Sequence, residues 1–204
     1  MKIGKYSIPA VRLFPILVDA VRAIYERFGS EEVSDMASLA QALGHRSVSG
    51  AFLLKLTSMR AYGLVEGRGR VRVSELGRRI AYFASREEQA EAVERALMNI
   101  PLWRELRPLW ERRGYDLPED ELWVELVKIT GCSPQEAREK APAIRRAFLE
   151  DFRQLRALRT PVEATRLAEA PRPAEGRPEV EEIRLGPIRI EVPPTIKDIQ
   201  IARM

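Results

Sequence analysis

Apolar residues at Leu17, Val18, Val21, Ile24, Tyr25 and Phe28 recur at helical spacing and are followed by Gly29. The pattern predicts a first helix from Phe14 to Phe28, with Pro15 in its first turn. A second segment, 33–43, carries Met36, Leu39, Ala40 and Leu43 on one face and stops at Gly44. Ser47 or Ser49 can then cap a third helix, 48–62, whose stripe is Phe52, Leu56 and Met59 and whose end is Gly63. Two short helices meeting at a tight turn are the expected outcome.

The period changes after Gly63. Leu64-Val65-Glu66 and Val71-Arg72-Val73 alternate as two short strands around Gly67-Arg68-Gly69-Arg70, a hairpin signal with a basic tip. Ser74 is placed to cap a helix through Ile80, Tyr82 and Phe83. Residues 86–159 read as helical throughout, with breaks near Pro101, Gly114 to Pro118, and Gly131 to Pro134. Ser133-Pro134-Gln135-Glu136 combines a capping serine, a first-turn proline and a glutamate able to reach back, so it marks a helix start and not a catalytic serine. From Thr160 to Glu179 the chain is rich in Pro, Ala, Glu and Arg and reads as an exposed linker. Beyond it, Ile183, Leu185, Ile188, Ile190 and Val192 flank Gly186-Pro187 as a small hairpin, followed by a short helix, 196–204. Two strands and one brief helix do not make a stable domain alone.

The expected fold is therefore mainly α, in four parts: 1–84, 85–159 (a helical domain), the linker 160–179, and the hairpin and helix of 180–204. In the first part the order is helix, helix, tight turn, helix, two-stranded hairpin, helix. With Ser38-Leu39-Ala40-Gln41-Ala42-Leu43-Gly44 before the turn, Ser49-Gly50-Ala51-Phe52 through Tyr62-Gly63-Leu64-Val65-Glu66 across the third helix, and Ser74-Glu75-Leu76-Gly77-Arg78-Arg79-Ile80 after the hairpin, it resembles the winged helix-turn-helix family of prokaryotic DNA-binding proteins. The resemblance covers roughly a third of the chain. It implies a third helix lying in the major groove and a basic wing reaching phosphate or the minor groove. The candidate DNA-contacting residues are Arg46, Ser47 and Ser49 at the start of that helix, Lys55 and Thr57 along it, and Arg68, Arg70 and Arg72 on the wing.

Charge sharpens this expectation. Over 204 residues, 34 basic and 30 acidic residues nearly cancel to a net +4. Between His45 and Arg79, however, Arg46, Lys55, Arg60, Arg68, Arg70, Arg72, Arg78 and Arg79 face only Glu66 and Glu75, the footprint that phosphate binding needs. On a helical wheel, Leu53, Leu54, Thr57 and Ala61 fall toward the outer side of the third helix. Leucines there offer apolar contact in place of hydrogen-bonded base readout, or bury against a second subunit or against the helical region that follows.

Cys132 is the one cysteine and His45 the one histidine, which excludes disulfide frameworks, zinc fingers and multi-histidine catalysis. Trp103, Trp110 and Trp123 lie on apolar helical stripes and are expected in a core. The acidic group Glu119, Asp120, Glu121 and Glu125 suits a helix start. No nucleophile, base and orienting group can be assembled, so a non-enzymatic protein without cofactor or metal is expected. The absence of an apolar leader or long apolar span points to a cytoplasmic protein with no membrane partner. Double-stranded DNA is the expected partner, with a homo-oligomer, a homodimer above all, or another protein beside it. The alternative is an assembly module in which the winged helix and the C-terminal hairpin serve complex formation.

Overall fold

The amphipathic stripes read from the sequence meet in one continuous core. The computed structural model describes residues 1–160 and the backbone of residues 181–185 and 188–192. Among the described residues the protein is mainly α, with eight α-helices and three two-stranded antiparallel sheets. Residues 1–160 form one compact unit and 161–204 are grouped as a second.

A hairpin of β1 (Lys2–Ile3) and β2 (Tyr6–Ser7) opens the chain, and its apolar residues Ile3, Tyr6 and Ile8 are buried. Two-residue strands are too short for a period to register, so this hairpin was not legible in the sequence. Gly4, at φ +49°, lies so close to Thr130 that a Cβ would meet its carbonyl oxygen at 2.5 Å. The hairpin is thereby seated on the helical region that follows.

The first helix starts later than its apolar pattern suggests. Phe14 is extended (φ −112°, ψ 147°) within the irregular turn Leu13–Leu17, because the residue before a proline is driven out of the helical region. Regular helix, α1 (Val18–Phe28), begins after it. The second helix is also shorter than expected: α2 is Met36–Ala42, capped by Asp35. Val33 instead forms a bridge with Val71, with N–H···O distances of 2.8 and 2.9 Å, which adds a third rung beside the hairpin that follows the third helix. A local pattern cannot register that pairing, since its partner is far along the chain.

Helix α3 (Gly50–Tyr62) buries Phe52, Leu56, Met59 and Tyr62 and ends at Gly63, φ +76°. Strands β3 (Val65–Glu66) and β4 (Arg72–Val73) pair Val65 with Val73 and Glu66 with Arg72. Ser74 caps α4 (Glu75–Ala81) and also donates to the Gly63 carbonyl at 2.6 Å. Gly77 permits that close fit, because a Cβ there would strike the Leu64 carbonyl oxygen at 2.3 Å.

The rest of the unit is α5 (Arg86–Met98), α6 (Pro101–Arg112), α7 (Glu119–Thr130) and α8 (Pro134–Arg159), with the expected breaks between them. Helix α4 packs on α1 and α5, and α8 packs on α5 and α7. The core does not pause at residues 84–85. Gln89 donates to the Ile80 carbonyl at 3.1 Å, and Asn99 donates to the Tyr62 carbonyl at 2.9 Å.

The second unit contains β5 (Glu181–Leu185) and β6 (Ile188–Val192), paired antiparallel around Gly186-Pro187 as the apolar alternation predicts. The linker 160–179, apart from Thr160, and the expected helix at 196–204 lie outside the described residues.

Candidate nucleic-acid interface

Two capping side chains start α2 and α3. The Asp35 carboxylate accepts from the N–H groups of Ala37 and Ser38 at 2.9 and 3.2 Å and from the Ser38 hydroxyl at 2.6 Å. Those bonds, the Ser38 hydroxyl first, hold its pKa below the ordinary carboxylate value. Ser49 Oγ accepts from Phe52 N–H at 3.3 Å and starts α3, so its oxygen is committed to the helix. Arg46 and Ser47 are exposed in the turn before it, and Thr57 is exposed farther along. Lys55 is half-buried and donates to the Leu43 carbonyl at 3.2 Å, tying α3 back to the end of α2.

The tip of the β3–β4 hairpin is held by its backbone. Gly67 has φ +92°, and a Cβ there would lie 1.9 Å from the Arg70 carbonyl oxygen, so only glycine fits. Arg60 of α3 donates to the Arg68 carbonyl at 3.4 Å and so links the helix to the tip. Arg68, Arg70 and Arg72 are all exposed.

Ion pairs alter the charge reading. Arg72 binds Glu66 at 2.8 Å, Arg70 lies 3.7 Å from Glu32, and Arg79 binds Glu88 at 3.0 Å. Arg78 pairs with Glu75, whose pKa is lowered first by that hydrogen bond. Glu32 and Glu88 come from outside the stretch between His45 and Arg79, so a count along the sequence overstates the free charge. Among the described residues, Arg46, Arg60 and Arg68 have no carboxylate at ion-pairing distance. These three and the exposed, weakly held Arg70 are the cations best placed to meet an anion.

The outer face of α3 carries exposed apolar side chains. Leu53 is 49% and Leu54 55% exposed, and Val48 just before the helix is 46% exposed. His45, in the turn, packs edge-on against Phe52 with ring centres 6.0 Å apart. It is a packing residue of the turn.

The sequence reading missed the buried polar centre that anchors α3. Asp151 of α8 accepts from Tyr62 Oη at 2.7 Å, from Trp103 Nε1 at 2.9 Å and from Leu13 N at 3.5 Å, and Arg12 Nη1 lies 3.6 Å away. Burial pushes the Asp151 carboxyl up from its ordinary value, against the opposing pull of Arg12, Tyr62 and Trp103. Burial also drives the Tyr62 phenol well above the usual range, reinforced by the Asp151 charge. The signal was available: Asp151 interrupts the apolar stripe of Phe148, Phe152 and Leu155, and a carboxylate on a buried stripe must have partners.

Trp103 and Trp110 are buried and Trp123 is half-buried under Arg138, 4.2 Å from its ring. Cys132 is a buried free thiol. Among the described residues no three His, Cys, Asp or Glu side chains converge to hold a metal ion, and no helix is long and apolar enough to cross a membrane. Comparison with known proteins found no match: no family model, curated protein or solved structure is significantly similar to this chain.

Proposed function

We propose that the segment from α1 to α4 is a winged helix-turn-helix and that the protein binds duplex DNA through it, without enzymatic activity. The observation that carries this reading is the set of exposed arginines without carboxylate partners, Arg46 ahead of α3 and Arg68 on the wing tip, joined by Arg60 on the helix between them. Such cations displace condensed counterions from the phosphate backbone, which makes binding steeply dependent on salt. The apolar outer face of α3 favours recognition of shape and phosphate over hydrogen-bonded base readout. Transcription regulation or a nucleoid-type association both fit binding of that kind.

A second reading is supported by the exposure of Val48, Leu53 and Leu54, which is an apolar surface suited to protein assembly. One experiment separates the two. Duplex binding is measured by fluorescence anisotropy across a salt series, for the wild type and for Arg46→Ala, Arg68→Ala and Arg70→Ala. The DNA reading expects each substitution that removes a phosphate contact to reduce the slope of log affinity against log salt by about 0.9. Absence of binding at low salt would leave the assembly reading alone.

A further inference from the structure

The C-terminal hairpin sets two like-charged pairs directly opposite one another. Its register sets Glu182 opposite Glu191 and Arg184 opposite Arg189, while Ile183 faces Ile190 and Leu185 faces Ile188. Positions 183, 185, 188, 190 and 192 therefore share one largely apolar face with Glu181 at its end, and Glu182, Arg184, Arg189 and Glu191 share the other. Like charges directly opposite one another destabilise an antiparallel pair, and a lone two-stranded hairpin is marginal in water. Among the described residues, no further strand pairs with this hairpin.

The edge of β6 that no described strand occupies offers a pairing site. Two residues separate Leu185 from Ile188, so that closing pair is hydrogen-bonded, and alternation commits the backbone groups of Ile188, Ile190 and Val192 to β5. The backbone groups of Arg189 and Glu191 are then the ones left on the outer edge. A second β6 running antiparallel about a two-fold axis can use them in three registers. Centring on position 189 sets arginine against arginine, and centring on 191 sets glutamate against glutamate. Centring on Ile190 sets Arg189 against the partner subunit's Glu191, twice over, and Ile188 against the partner subunit's Val192. The same operation on β5 about Ile183 sets Glu181 against an apolar Leu185. Only β6 matches on both faces.

We infer that this chain forms a homodimer through β6, antiparallel about Ile190, giving a four-stranded sheet of order β5, β6, β6, β5. The arrangement is isologous, as a two-fold dimer requires, and it gives Arg189 and Glu191 an opposite charge that their own hairpin withholds. It specifies the partner and register of the assembly reading and does not depend on DNA binding.

Charge reversal in the full chain tests it, read by sedimentation equilibrium in the absence of DNA. Arg189→Glu and Glu191→Arg each improve pairing within the hairpin, opposite Arg184 and Glu182, so neither weakens the hairpin itself. Each nevertheless sets like charges across the two-fold axis and should weaken dimerisation about tenfold or more. Mixing the two single variants restores opposite charges in both rows and should yield a heterodimer of wild-type affinity. The double variant R189E/E191R should also self-associate. A monomeric wild type, or single variants that dimerise as tightly as the wild type, would overturn the inference. A failure of the DNA titration leaves these masses unchanged, so the two readings fail separately.

Discussion

Asp151 shows how one buried carboxylate can organise a helix that is distant in sequence. It draws together the end of α3, the first turn of α6, the segment before α1 and α8 through four partners. Removing one member of a buried charged pair strands the others, so Asp151→Ala should cost about 3–5 kcal/mol in chemical denaturation. Asp151→Asn keeps an acceptor for Tyr62 and Trp103 and should cost less. The two variants also separate geometry from charge. Because the folded pKa of Asp151 lies above its ordinary value of 3.8, the folded state holds its proton more tightly. Its contribution is therefore fully present below 3.8 and is lost as pH rises through the folded pKa. The stability of the wild type relative to Asp151→Asn should fall over that window. A difference that stays flat, or rises with pH, would contradict this sign.

At the scale of the element, the wing depends on one glycine and tolerates change at its neighbour. Gly67 has both a positive φ and a carbonyl oxygen where a Cβ would go, whereas Gly69 has open space around it. Gly67→Ala should therefore destabilise by about 1–3 kcal/mol, measured by urea unfolding. Gly69→Ala should be neutral or slightly stabilising, through the unfolded chain alone. Equal effects at the two positions would mean that the tip is not held as described. The same elements show where a local reading of sequence runs out. The caps of α3, α4 and α8 were legible because Ser49, Ser74 and Ser133 act on neighbours three residues away. The bridge of Val33 to Val71 and the extended Phe14 were not, since long-range pairing and a proline overrode helical periodicity.

At the scale of the molecule, the core of residues 1–160 runs through the boundary that the helix-turn-helix resemblance suggests at residue 84. Tyr62 is bound to Asp151 and to Asn99, and Gly63 sits against Asn99 so closely that a Cβ would lie 2.6 Å from its amide nitrogen. A fragment of residues 1–84 would expose the buried ends of α3 and α4 and leave Tyr62 without a partner. It should show the narrow amide dispersion of an unfolded chain in NMR, while residues 1–160 should fold and unfold in one transition. A well-dispersed spectrum from 1–84 would show that the wing region stands alone. The distribution of charge obeys the same rule: Glu32 and Glu88, distant from the wing in sequence, neutralise arginines that a linear count left free.

By itself, the sequence determined the helical character, the caps and breaks, the apolar stripe of α3, the glycine-bounded β3–β4 hairpin and the alternation in the C-terminal hairpin. Each of these depends on residues within a few positions of one another, and local backbone sterics and periodicity decide them. The tertiary structure alone decided the partners of Asp151, the seating of the N-terminal hairpin, the third rung beside the wing and which arginines keep an unpaired charge. Those depend on contacts between residues tens of positions apart, where burial and Coulomb interactions act across the fold and leave no periodic trace along the chain.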